Sequence, residues 1–236
     1  MFGFFSSRSN LHESGLLQGF TDNHSHILYG VDDGVRTKEE ALAILTFMEN
    51  EGVKTVWCTP HVMEDVPNRT EDLRAKFEQL KSEWDGSIEL KLASENMLDN
   101  LFKERLEKKD FLFHGDGKLL VETSTWAPPI DLWDMIDSII VAGYKPIIAH
   151  PERYRYMEMS DYKRLVDMGA ELQLNLPSIV GVYGEDVLRK AEAILENGWY
   201  SIAGSDCHRF RALESQVSCK ILSKGTVSRL KSLLDC

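Results

Sequence analysis

Short apolar or β-branched runs alternate along the chain with longer segments of helical period, and this alternation limits its fold more than any other feature. "VKTVWCTP", "SIELKLASE", "KLLVETS", "KPIIAHP", "AELQLNLP" and "YSIAGSD" read as strands, and the stretch leading into His24 supplies another. Between them lie helical patterns. Thr37 and Glu40 have capping-box spacing ahead of "EEALAILTFMENEG", where Leu42, Leu45 and Met48 share a face and Gly52 offers a stop. Thr70 is placed to cap a helix carrying Leu73, Phe77, Leu80 and Trp84, and further helices are expected near Asp131–Ala142, Asp161–Met168 and Glu185–Asn197. About seven βα units joined by right-handed crossovers favour a closed or nearly closed parallel barrel over an open sheet. With 236 residues, 43% of them hydrophobic, we expect one domain over 1–236 with a short extension at about 1–18.

Composition narrows the function. A net charge of −11 argues against an extended nucleic-acid footprint or an anionic-membrane patch, so an anionic substrate must be met by local cations. No run approaches a membrane span, and "MFGFFSSRSN" lacks the basic start and long apolar stretch of a signal peptide. Cys58, Cys207, Cys219 and Cys236 form no CxxC pair, which fits a reduced, cytoplasmic setting. None of them is followed six positions later by an arginine, so no cysteine nucleophile opens a phosphate-cradling loop, and no GxGxxG or Walker loop is present.

The chemistry-bearing residues are unevenly placed. His24 and His26, His61, Glu95, Glu122, His150, and Asp206 with His208 each stand at or just beyond the C-terminal end of an expected strand, which is where barrels build sites. A histidine alone at such a place is more often a hydrogen-bonded structural residue than a ligand. Five of the seven histidines in these positions shift that balance, while His12 and His114 read as unrelated to a site. Asp32 and Asp33 in "GVDDG" are either turn formers or, for one of them, a further ligand. Imidazole and carboxylate without thiolate suit Zn, Mn or Fe, and nine candidates suit two or three ions sharing a carboxylate.

"DNHSHILYGVDDG", "TPH", "VETS", "AHPERY" and "GSDCH" together resemble the metal-dependent tyrosine phosphatases of the PHP (polymerase and histidinol phosphatase) superfamily, the branch associated with capsule and exopolysaccharide synthesis. The resemblance runs from about Phe20 to Glu214. It implies a distorted (βα)7 parallel barrel of the PHP type with two or three divalent metal ions, manganese first and iron or zinc as alternatives. Its ligands would be His24, His26, Asp33 in preference to Asp32, His61, Glu95, Glu122, His150, Asp206 and His208. Arg153 and Arg211 would hold the phosphate, with Arg209 as the alternative to Arg211. The chain departs from the family pattern at Asn23 and at "ASENML", which lacks an aromatic pair.

The residue types suit phosphate-ester hydrolysis, because divalent ions neutralise phosphate oxygens and lower the pKa of bound water while arginine forks bind phosphoryl oxygens. The implied substrate is phosphotyrosine in a protein, the C-terminal tail of a bacterial tyrosine kinase. Tyr154, Tyr156 and the loop Val62–Asn68 are expected at an open mouth. The alternatives are a histidinol-phosphatase-like enzyme for a small molecule, for which Glu64 and Asp65 supply acidic groups, and a metal-binding barrel without turnover.

Overall fold

The computed structural model describes residues 8–234, so most of the expected extension's first half and Cys236 lie outside the described residues. Among the described residues nine strands are present: β1 (Thr21–Ser25), β2 (Thr55–Cys58), β3 (His61–Val62), β4 (Glu89–Leu92), β5 (Glu95–Met97), β6 (Lys118–Glu122), β7 (Lys145–Ile148), β8 (Glu171–Asn175) and β9 (Tyr200–Gly204). Among the described residues the helices are α1 (Leu11–Ser14), α2 (Lys38–Asn50), α3 (Thr70–Glu83), α4 (Asn100–Lys108), α5 (Leu132–Val141), α6 (Met159–Asp167), α7 (Leu176–Ile179), α8 (Glu185–Glu196), α9 (Phe210–Ser218) and α10 (Lys224–Leu234).

All strand pairs within the sheets are parallel, in the orders β1-β2-β4 and β3-β5-β6-β7-β8-β9. The two sheets belong to one surface. "VKTVWCTP" and "SIELKLASE", each expected as one strand, are broken into β2 with β3 and β4 with β5. Pro60, which has no N–H to give a ladder, stands at the first break. Backbone bonds carry the pairing across both breaks: Thr59 N–H to Ser25 O at 2.8 Å, Ala93 N–H to Cys58 O at 2.9 Å and Glu95 N–H to Pro60 O at 3.0 Å. At the other edge the chain after β9 returns to β1, with Asp206 N–H donating to His24 O at 2.7 Å and His26 N–H to Cys207 O at 3.0 Å. The result is a distorted (βα)7 barrel whose strands run in chain order.

The helices wrap this sheet with their apolar faces inward. Thr37 caps α2 by accepting from Glu40 N–H, and Ala41, Ile44, Leu45 and Met48 are buried, whereas Leu42 is only half-buried. The Glu40 carboxylate does not complete the box; it accepts from Phe210 N–H at 3.2 Å, joining α2 to α9. Thr70 is not a cap either. It is the first helical residue of α3, and its hydroxyl donates to Asp110 Oδ1 at 2.6 Å. Helix α4, absent from the sequence expectations, starts at a cap, Asp99, whose side chain accepts from Phe102 N–H. The stretch before β1 packs on the barrel through Leu11, Leu16, Leu17 and Phe20, and Ser9 pairs with Leu222.

Candidate metal centre

The nine candidate ligands meet at the C-terminal end of the barrel. His24 lies near the end of β1, with His26 one residue beyond it; His61 and Glu95 open β3 and β5, paired in register; Glu122 closes β6. His150 follows β7, Asp206 and His208 follow β9, and Asp33 reaches in from the turn after β1. Four overlapping groups form: His26, Asp33, His61 and His208; His24, Glu95 and His150; His24, His26 and Asp206; His61, Glu95 and Glu122. Within each group one donor atom per residue lies within 4.8 Å of the others. Glu95 sits at the middle. Its Oε2 is 3.2 Å from both His24 Nε2 and His26 Nε2 and 3.1 Å from His61 Nδ1, while Oε1 is 3.0 Å from His150 Nε2.

The backbone is bent to make this possible. His150 and Asp206 have φ of 34° and 51°, a left-handed conformation that costs a residue with a side chain energy and needs surrounding structure to hold it. The glycine of "VDDG" has a steric reason, since a Cβ on Gly34 would lie 2.3 Å from His26 O and 2.5 Å from His26 Cβ. Gly204 is similarly pressed against His24, where a Cβ would come within 2.5 Å of His24 Cβ.

A second layer of side chains fixes the imidazoles, and sequence reasoning missed it. His26 Nδ1 lies 2.9 Å from Asp32 Oδ2, and the Asp32 carboxylate also accepts from the backbone N–H of His61 at 3.0 Å and Gly34 at 2.9 Å. Asp32 is thus neither a mere turn former nor a member of the donor groups; it turns His26 Nε2 toward the centre. Gln173 Oε1 does the same for His24 Nδ1 at 3.1 Å and accepts from His150 N–H at 3.1 Å. Asn175 Nδ2 donates to Asp206 Oδ2 at 3.0 Å. Asp22, fully buried, accepts from Ser205 N–H at 2.7 Å and Ser205 Oγ at 2.5 Å, locking the turn that carries Asp206. The available signal was Gln173 and Asn175 at alternate positions of a strand buried throughout.

Electrostatics favour charge here despite burial. Burial alone would push Glu95 up, but the surrounding imidazoles His24, His61 and His150 hold it well below the usual carboxylate range. Burial opposes charge on His24 too, yet Glu95 and Asp206 raise its pKa to about 9. The donor set passes a test for divalent ions. His61 Nδ1, Glu95 Oε2, Glu122 Oε1 and His150 Nδ1 are buried without hydrogen-bond partners, although buried polar atoms almost always have one. Three of the four converge: His61 Nδ1 stands 3.1 Å from Glu95 Oε2 and 3.0 Å from Glu122 Oε1. Cations shared among imidazole and carboxylate donors would satisfy them.

Arg153, just after His150, places Nη1 2.8 Å from Asp206 Oδ2 and lies over the Tyr183 ring at 4.5 Å. Arg211 is exposed on the first turn of α9 and makes no hydrogen bond or ion pair with the described residues. Arg209 is occupied, donating to the carbonyls of Gly34 and His208. Tyr154 corrects the expected mouth: it is fully buried, with its hydroxyl accepting from Thr123 N–H at 3.2 Å. The Val62–Asn68 loop is pinned by a Met63–Val66 bridge, by Glu64 N–H donating to Asp99 Oδ2, and by Asn68 Nδ2 donating to Val31 O and His61 O. Cys58 and Cys207 are buried, and burial pushes both thiols well above their ordinary pKa, which disfavours the nucleophilic thiolate. His114, set aside in the sequence, lies away from the cluster and stacks on Trp57.

A parallel α/β barrel with a histidine–carboxylate cluster at its strand ends is an architecture shared by metal-dependent hydrolases. The phosphotriesterase homology protein of Escherichia coli, solved with phosphate in its active site, has a comparable fold: TM-score 0.53, 11% identity, covering 91% of this chain and 92% of that one. A nearer likeness is a structure from the pair YwqE of Bacillus subtilis and CpsB of Streptococcus pneumoniae, described as unique metal-dependent tyrosine phosphatases. Its TM-score is 0.77 at 23% identity, over 90% of this chain and 86% of that one. Residues 20–223 match the family described as capsular polysaccharide synthesis, CpsB/CapC, and the chain belongs to it. The tyrosine-protein phosphatase CpsB of Streptococcus pneumoniae is 29% identical over 201 residues, covering 79% of this chain and 82% of that protein. The tyrosine-protein phosphatase YwqE of Bacillus subtilis is 26% identical over 222 residues, covering 90% and 87%.

Proposed function

We propose that this chain is a metal-dependent protein-tyrosine phosphatase of capsule or exopolysaccharide synthesis, with 1–236 acting as one phosphatase domain. The observation that carries this reading is the convergence of five imidazoles and four carboxylates at the strand ends of a barrel, with His61 Nδ1, Glu95 Oε2 and Glu122 Oε1 buried there without hydrogen-bond partners. His24, His26, Asp33, His61, Glu95, Glu122, His150, Asp206 and His208 would hold two or three divalent ions, manganese first. When bound, such ions supply an activated water and neutralise phosphoryl oxygens.

The chain's own residues do the rest. Glu95, between four imidazoles, keeps the donors at a common centre, and Asp32 and Gln173 fix the ring orientations of His26 and His24. Arg153 stands at the edge of the cluster, with one guanidinium nitrogen on Asp206, leaving its other donors for a phosphoryl group. Arg211 is the second phosphate ligand in this reading, because the Arg209 guanidinium is already engaged by two carbonyls. A phosphorylated tyrosine in a polypeptide, such as the C-terminal tail of a bacterial tyrosine kinase, is the substrate. The cytoplasm is the compartment that such a partner implies. Among the described residues no helix is long and apolar enough to cross a membrane.

The experiment is chelation followed by re-addition of single divalent ions, Mn first, with turnover measured on a phosphotyrosine peptide, the matching phosphoserine peptide and histidinol phosphate. The expected result is no activity without metal and, with metal, at least roughly tenfold higher kcat/KM for phosphotyrosine, about 1.4 kcal/mol of differential transition-state binding. Equal or better turnover of histidinol phosphate moves the enzyme to the small-molecule class. Full activity in verified metal-free protein removes the metal reading.

A further inference from the structure

Beside the cluster a groove of about 580 Å³ begins at Arg153 and runs between the turn after β7 and α8, with Arg155, Glu158, Tyr183 and Lys190 on its walls. Its charges are almost all engaged. Arg153 is held by Asp206 and Tyr183. Lys190 Nζ donates to Tyr154 O at 2.9 Å and Met157 O at 2.7 Å, and the Glu158 side chain caps the start of α6. Arg155 differs. It is exposed, forms no ion pair with the described residues, and lies 3.5 Å over the ring of Trp126, itself 69% exposed. The backbone holds that pair in place, since Arg155 N–H donates to Thr125 O at 2.9 Å. Trp126 therefore fixes the Arg155 side chain by a cation–π contact and leaves the outer face of its guanidinium to solvent.

Arg153 and Arg155 flank Tyr154, whose extended backbone puts their Cα atoms about 6–7 Å apart. Both side chains line the same groove. We propose that this groove takes the polypeptide flanking the phosphotyrosine and that Arg155, stacked on Trp126, selects an acidic residue within about two positions of it. The inference rests on the phosphotyrosine reading above. An unpaired, pre-oriented cation gains from a carboxylate and repels a lysine, and at a wet rim this acts mainly on binding. Arg155 is thus a specificity-determining residue, with no part in the chemistry of the phosphoryl group.

The test uses phosphotyrosine peptides identical except for Glu, Ala or Lys at the first or second position on either side. For each preparation, kcat/KM is divided by that for p-nitrophenyl phosphate, which has no flanking chain. Wild type should prefer the best Glu peptide over its Lys counterpart by roughly fivefold at low salt, with the difference in KM and shrinking as salt rises. Arg155→Ala should bring the ratio close to one, and Arg155→Glu should invert it. The same peptides carrying a non-hydrolysable phosphonomethyl group should show the same order in calorimetric affinity. A Glu preference that persists in Arg155→Ala, or its absence in wild type, overturns the proposal while leaving the phosphatase reading intact. If p-nitrophenyl phosphate is turned over and no phosphotyrosine peptide is, that reading fails, and the phosphonate affinities alone then decide the groove.

Discussion

The two ends of the barrel both bury polar groups, and they do so in opposite ways. At the N-terminal end, Glu171 at the start of β8 is clasped by Lys118 at 2.8 Å and Lys145 at 2.7 Å, from the starts of β6 and β7. Midway along β1 and β2, His114 lies against Trp57 with ring centroids 4.0 Å apart, its Nε2 3.1 Å from Asn23 O. Here charges are matched locally and polar atoms have partners, the arrangement that favours stability. At the C-terminal end, imidazoles and carboxylates crowd together, two residues are held at positive φ, and buried donor atoms are left over. A set of side chains that leaves its own atoms unsatisfied is built for something the chain does not supply.

The largest expected effect breaks the C-terminal end. His24→Ala should remove bound metal and phosphatase activity together, beyond the roughly 10–100-fold cost typical of changing an outer partner of a ligand. Metal analysis beside turnover checks it, and wild-type metal content with wild-type activity would exclude His24 from the centre. Asp32→Asn sharpens the distinction between ligand and orienting residue. It should lower metal affinity or activity by roughly 10–100-fold with the fold intact, because His26 loses the carboxylate that sets its tautomer.

Arg211→Ala should leave metals in place and slow turnover by a charge-assisted contact, roughly 1.5–3 kcal/mol in kcat/KM. Arg209→Ala should do much less to phosphate binding, and comparable losses at both would overturn the choice between them. The matched polar groups outside the cluster give an effect on stability instead. Burial lowers the His114 pKa from 6.5 to about 4, so the unfolded chain takes up this proton first. Its share of stability is full above pH 6.5 and is lost as pH falls toward 4, roughly 3 kcal/mol across the window. His114→Phe, which keeps a ring against Trp57 and binds no proton, should therefore lose less stability in urea unfolding over that range than wild type does. An identical acid profile in the two proteins would refute this. The smallest effect is expected for Cys207→Ser, one residue from Asp206: most activity should remain, and loss of turnover with metal still bound would point to a thiol nucleophile.

Most of the alternation of strands and helices, though not α4, α9, α10 or the two strand breaks, and the imidazoles and carboxylates at the strand ends were legible in the sequence. Both are local properties: a period of two or 3.6 residues and the residue that follows an apolar run. What it left undetermined depends on residues far apart in the chain. Pro60 marked a break only once β2 and β3 were seen to pair with different partners on either side of it. Asp32 and Asp33 are neighbours with the same chemistry, yet one clasps the far nitrogen of His26 and the other faces His61 and His208, a division made by the Gly34 turn pressed against His26. Gln173 acquires a role only because β8 lies beside β7 and β9, within reach of His24 and His150. Tyr154, polar-tipped and next to the site in sequence, is fully buried, while Trp126, 27 positions upstream of Arg153, stands at the rim. Whether a side chain meets solvent or core is settled by what packs over it, and closing the barrel decided that.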